Sequence, residues 1–320
     1  MKKRLKISLT VFSSVLVVLF IGLSSFIGLQ VFEGSTQLIT NDQTMGVADG
    51  FWERYGIDKE NFHNTYKVEE IAIPSSYENH TIPADYIYAA QSNSSKNYPT
   101  VILVHGMGDN RYSNYPIAEF FLEKGYNIVT YDQRSTNENT AQYTTFGYRE
   151  KYDLIDYVNY VEQQAPEQEI GIWGASYGGA TAGLALATEN MDEKVDFLIL
   201  DCPVSSMKWM VEQEMKTMDV GIPVSYMTWC GNIVNKLKLG FTYQDADVAV
   251  AMKDMKTPVL VINSKIDSVT PYFMGKDIYD ALPESNREIW TVEDSEHCEI
   301  WLDYNQEYRD KIEGFLTTYE

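Results

Sequence analysis

Residues 169–180 read EIGIWGASYGGA. An apolar run ends in a serine enclosed by small residues. EIGIWGAS (169–176) predicts a buried strand, and the small residues from Gly178 to Ala187 predict a helix. Gly174-Ala175-Ser176-Tyr177-Gly178 therefore fits G-x-S-x-G in a strand–turn–helix context. Such a turn is sharp, and glycines on either side remove Cβ atoms that would collide with the flanking elements. A helix that starts after Ser176 aims N–H groups and its positive end at the hydroxyl. Those features expose a serine oxygen and favour negative charge beside it.

The stretches around this turn repeat one pattern. KVEEIAIPSS (67–76) and IPADYIYAA (82–90) alternate like an antiparallel hairpin at a sheet edge. TVILVHG (100–106), YNIVTYD (126–132), VDFLILDCP (195–203), TPVLVINS (257–264) and REIWTVE (287–293) read as further strands. Helical stretches lie between them at 117–124, 149–164, 178–187 and 275–282, with a last one at 304–316. The predicted fold is a three-layer α/β structure, with a mostly parallel sheet and an N-terminal antiparallel hairpin. The interval 204–255 breaks the alternation. Its Met207, Trp209, Met210, Met215 and Met218 suggest a helical lid insertion. Met207, Trp209 and Met210 are candidates to line an apolar substrate pocket; the rival reading has them only pack the insertion.

A serine hydroxyl needs a base, and the base needs a group that holds its tautomer. His297, in EDSEHCEIW (293–301), is the only histidine after Ser176. Asp267, in NSKIDSVTP (263–271), also follows a strand, with Asp294 and Asp303 as alternative partners for the histidine. The order Ser176, Asp267, His297 suits this strand–helix pattern. Charge that develops on a substrate oxygen requires two N–H donors. Tyr177 supplies one by its position, and Met107, ahead of Gly106, is the choice for the second. His105 is read as a structural residue. Arg134 is read as an ion-pair or loop-fixing residue ahead of a role in binding a substrate carboxylate.

The chain has 320 residues and a net charge of -21, from 25 Lys and Arg against 46 Asp and Glu. That balance argues against a nucleic-acid partner, which needs clustered basic residues. Lys2, Lys3, Arg4 and Lys6 precede an uncharged run, Ile7 to Phe32. Residues 1–32 are predicted to be a membrane anchor through 7–32, with a cleaved signal sequence as the alternative; the remainder then lies outside the cell. Residues 33–66 are read as a linker and 67–320 as the main domain. Cys202, Cys230 and Cys298 form no disulfide framework, and no Cys/His spacing suggests zinc. No cofactor or metal is expected.

LVHGMGDNR, YDQRS, GASYGG, NSKIDSVTP and SEH follow one another in an order that resembles the α/β-hydrolase superfamily. The likeness covers about residues 67–320. It is nearest to the serine aminopeptidase and monoglyceride-lipase-like branch, with membrane-anchored hydrolases of Gram-positive bacteria. The resemblance implies hydrolysis with Ser176, Asp267 and His297 as triad and Met107 and Tyr177 at the oxyanion positions. Gln133-Arg134-Ser135 departs from it, since many relatives carry glycine after the arginine. The expected activity is cleavage of a carboxylic ester with a small or medium acyl group. A serine peptidase is the alternative enzyme, and a catalytically silent surface binding module the alternative of another class.

Overall fold

The computed structural model describes residues 2–37, 41–89 and 94–319. The chain divides into two compact units: Met1–Gln37 with Met207–Asp245, and Leu38–Ser206 with Ala246–Glu320.

The smaller unit is helical. Helix α1 (Lys2–Ser35) carries the uncharged run. The elements that follow it in the chain belong to the larger unit: α2 (Asn41–Arg54), α3 (Lys59–Thr65), strands β1 (Lys67–Pro74), β2 (Thr81–Tyr88) and β3 (Thr100–Val104), α4 (Tyr115–Glu123), β4 (Asn127–Tyr131), α5 (Glu150–Gln164), β5 (Ile170–Ala175), α6 (Tyr177–Leu186) and β6 (Phe197–Asp201). The chain then returns to the helical unit for α7 (Met207–Thr217) and α8 (Val224–Leu239). It closes in the larger unit with α9 (Val248–Met252), β7 (Val259–Ser264), α10 (Phe273–Ala281), β8 (Arg287–Val292), α11 (Ile300–Asp303) and α12 (Asn305–Tyr319).

The larger unit is built on one eight-stranded sheet of order β1-β2-β4-β3-β5-β6-β7-β8. β1 pairs antiparallel with β2, and β2 antiparallel with β4; all other pairs are parallel. Every residue of β3 to β7 is buried, as parallel strands covered on both faces must be. β1 alternates between exposed and half-buried residues, as an edge strand does. The fold class and the hairpin are those the sequence predicts.

Residues 41–65 depart from the linker reading. α2 and α3 place Trp52 and Phe62 in the main core, with ring centroids 6.1 Å apart. The Trp52 ring also packs at a tilt against Tyr115, 4.9 Å away, and its Nε1 donates to the Tyr112 carbonyl at 2.8 Å. A polar face on α2 disguised this burial, because only Thr44, Ala48 and Trp52 turn fully inward. The interval 204–255 does contain two long helices, but its last part belongs to the sheet unit. There α9 meets α6, where a Cβ on Gly183 would lie 2.5 Å from Val248.

Candidate active site

Ser176 lies between β5 and α6 with φ 53° and ψ −115°. This left-handed backbone is strained for any residue with a side chain, and such strain concentrates at functional sites. The local sequence permits it through close approaches. A Cβ on Gly178 would stand 2.1 Å from the Val104 carbonyl oxygen, and one on Gly174 would stand 2.6 Å from that of Gly178. The Ser176 N–H donates to the Asp201 carbonyl at 2.8 Å, which ties the turn to the end of β6.

The loop after β8 brings His297 to this serine, with Nε2 2.9 Å from Oγ. The loop after β7 brings Asp267 to the other ring nitrogen, Oδ2 to Nδ1 at 2.7 Å. Asp267 Oδ1 accepts from the N–H groups of Val269 and Thr270 at 2.9 and 2.8 Å, and the Thr270 hydroxyl donates to Oδ2 at 2.9 Å. Burial alone would raise the Asp267 carboxyl, but His297 and the Thr270 donors outweigh it and hold it below the ordinary value. Burial pushes His297 the other way, and the Asp267 hydrogen bond and charge overcome that and raise it above an ordinary histidine.

The other candidates fall into two groups. Asp294 accepts from the Tyr304 hydroxyl and Asp303 from Ser295 Oγ at 2.7 Å, so both are engaged elsewhere. His105 has Nδ1 2.8 Å from the Gly106 carbonyl and accepts the Gln133 N–H at Nε2, 2.9 Å away. Burial lowers it to about 4, so it is a neutral pin for the loop after β3. Arg134 is fully buried and pairs with Glu78 and with Asp153 at 3.5 Å. Gly106 and Met107 sit in that same loop; a Cβ on Gly106 would be 3.8 Å from the Ser176 Cβ. Tyr177 opens α6 immediately after the serine.

Beside Ser176 and His297 opens a cavity of about 260 Å³. Its apolar wall comes from Val47 and Phe51 of α2 and Tyr55 just after it, with Met107, Ile117, Trp173 and Trp301. Met207, Trp209 and Met210 lie on α7 in the helical unit, and the residues around this cavity are those of the sheet unit. The α2 contribution escaped sequence reasoning, although Val47, Phe51 and Tyr55 recur at the four-residue spacing of one helix face.

Two carboxyls at the cavity were also missed. Burial raises Asp109 to about 7 and Asp201 to about 6. Asp201 Oδ2 accepts from the Tyr308 hydroxyl at 2.9 Å, while its Oδ1 has no hydrogen-bond partner.

Cys202 and Cys298, 96 positions apart in sequence, also meet at this site. Cys298 Sγ is 3.5 Å from His297 Nε2, and the three ligand atoms of Cys202, His297 and Cys298 lie within 4.8 Å of one another. It is the one grouping among the described residues that could hold a metal ion, and its histidine is already bonded to Ser176 and Asp267 at its two nitrogens.

Comparison with known proteins agrees with this topology. A family model described as alpha/beta hydrolase fold matches residues 99–237, and one described as TAP-like protein matches 227–320. An uncharacterized Bacillus subtilis protein, YqkD, is 25% identical, over 68% of this chain and 70% of its own length. The lysophosphatidylserine lipase ABHD12 of Rattus norvegicus is 22% identical over 63% of this chain, which spans about half (52%) of that relative. Among solved structures, a Pyrococcus furiosus esterase, Pf2001, superposes with a TM-score of 0.63 at 20% identity, covering 82% of this chain and 94% of its own. Sheet order, the strand–serine–helix turn and the matched models together show that this chain has the α/β-hydrolase fold.

Proposed function

We propose that the protein is a serine hydrolase that cleaves a carboxylic ester with a small or medium acyl group. The observation that carries this reading is the unbroken chain from Ser176 Oγ through His297 to Asp267, at 2.9 and 2.7 Å, at the mouth of an apolar cavity. His297 removes the hydroxyl proton as Ser176 attacks the acyl carbonyl. Asp267 keeps the Nδ1 proton in place and stabilises the imidazolium that forms. The Tyr177 and Met107 N–H groups receive the oxyanion. His297 then gives its proton to the leaving alcohol, and later takes one from the water that releases the acid.

The cavity bounds the substrate. At 260 Å³ with Phe51, Trp173 and Trp301 in its wall, it suits a short or medium chain. A second reading, cleavage of aminoacyl amides, is favoured by Asp109 and Asp201, whose carboxyls at the cavity would accept a substrate ammonium. The apolar stretch Thr10–Ser35, long enough to cross a bilayer, supports anchoring with the sheet unit outside the cell.

Assay of p-nitrophenyl esters of graded chain length, beside aminoacyl p-nitroanilides, tests the reading. Turnover should peak at short to medium esters and vanish in Ser176→Ala. Equal turnover by that variant would end the serine mechanism. Amide turnover without ester turnover would select the peptidase.

A further inference from the structure

The helical unit holds an apolar surface that the proposed chemistry does not use. α8 runs parallel to α1 in a fixed register. The Tyr226 hydroxyl is 2.7 Å from Ser24 Oγ, and its ring is 6.1 Å from that of Phe20. One turn along, Gly28 meets Cys230: a Cβ on Gly28 would lie 2.6 Å from the Cys230 carbonyl oxygen. Further on, a Cβ on Gly231 would lie 2.4 Å from Val31, and Lys238 Nζ sits 4.7 Å over the Phe32 ring. Small residues on both helices thus let the backbones touch. Ile27, Val31 and Phe32 are buried, whereas Val11 to Phe26 leave large apolar side chains exposed.

This register fixes a depth. A hydrocarbon layer takes about 20 helical residues. Counted from Ile7, the first residue after the basic flank, that length ends near Phe26. Tyr226 is held at the level of Phe20 and Ser24, inside that limit. The start of α8 and the connection before it therefore reach the outer part of the layer. Their side chains suit the place. Val220 is 55% exposed and Met218 48%, and Trp229, half exposed, stacks on Tyr226 at 6.0 Å. Trp and Tyr favour the boundary between headgroups and acyl chains. Ile233 continues the Trp229 face one turn up. Residues 207–245 carry four lysines against four acids, in a chain whose net charge is -21, so the segment does not share the charge that repels anionic lipid. Asp219 is the one acid between the exposed Met218 and Val220.

We infer that the α7–α8 connection and the first turns of α8 form a second membrane contact, inserted in the outer leaflet beside α1. The inference rests on the anchor reading of α1. It also makes α1 a lasting part of the fold, since cleavage after Phe32 would strip Cys230 and Gly231 of their packing partner.

The test uses the full chain in phosphatidylcholine–phosphatidylglycerol nanodiscs, with a nitroxide at Val220→Cys, Met218→Cys, Val18→Cys or Glu284→Cys in turn. Wild-type chain treated with the reagent is the blank for the native cysteines. Power saturation compares collision with oxygen, which concentrates in lipid, and with a water-soluble nickel chelate. Residues 220 and 218 should match residue 18, with an oxygen-to-nickel accessibility ratio several-fold above that at 284, whose side chain is 92% exposed. Residues 218 and 220 in water while residue 18 is in lipid would overturn the inference and leave the anchor intact. Residue 18 in water, or absent from the mature chain, would overturn both. Spin–spin broadening at 220 would assign the face to a second copy of the chain, and also overturns it.

Discussion

Asp267 and Asp201 are both buried carboxyls at the ends of neighbouring parallel strands, and both lie close enough to His297 to feel its charge. They nevertheless lean in opposite directions. Asp267 accepts from two backbone N–H groups, the Thr270 hydroxyl and His297, and is pulled below its ordinary value. Asp201 is bonded by Tyr308 at one oxygen and left without a hydrogen-bond partner at the other, and burial raises it to about 6. Position at a strand end does not make a carboxylate the histidine's partner. The 2.7 Å contact with Nδ1 does, and the donors to the charged form set which way each carboxyl leans.

Substitutions should separate the two. Asp267→Asn is expected to lower kcat/KM by about 10⁴-fold, the scale on which loss of the orienting acid stabilises the wrong tautomer. The pH profile carries a second signature. His297 must be neutral to act as base, so activity rises with pH through its raised value. In Asp267→Asn that push is gone, and the acid limb should move to lower pH. A limb that stays in place would mean that another group sets it.

Thr270→Val keeps the shape and removes a hydroxyl whose proton Asp267 Oδ2, at 2.9 Å, shares with the Cys202 carbonyl, at 3.0 Å. One hydrogen bond to a charged group is worth about 1.5–3 kcal/mol, so a fall of roughly ten- to hundredfold in kcat/KM is expected. If Asp267 were held by position alone, the rate would barely change.

Asp201→Asn should leave kcat within a few-fold and act on stability instead. A carboxyl whose folded value is raised binds more protons folded than unfolded. Its contribution is present below about pH 4 and is lost as pH rises through about 6. The variant should therefore show a flatter dependence of the denaturation midpoint on pH across that window. A carboxyl held at about 6 in place of its ordinary value makes a difference on the order of 2–3 kcal/mol between the two ends of that window. An unchanged slope would show that Asp201 titrates normally.

The same contrast explains what was legible in the sequence. Ser176, Asp267 and His297 each follow an apolar strand in a fixed chain order, and His297 is the only histidine after the serine, so the three groups that meet at 2.9 and 2.7 Å are legible as candidates, with Asp294 and Asp303 as rival acids. Asp201 also ends a strand, FLILD, but what sets it apart is the Tyr308 hydroxyl 107 positions later and an oxygen without a partner, which no local pattern encodes. Residues 41–65 read as a linker because most of α2 is polar, and its inward and cavity-facing residues are set by tertiary packing against Tyr115 and around Ser176. Cys202 follows β6 and Cys298 lies in the loop after β8, strands separated in the sheet by β7, so their meeting at His297 is set by tertiary structure.

The most direct test of the central claim is fluorophosphonate labelling of the full-length chain in detergent, read by intact mass and peptide mapping. One adduct is expected, on Ser176, abolished in Ser176→Ala and strongly slowed in Asp267→Asn. A folded chain that takes up no label, or takes it on another residue, would contradict the serine mechanism.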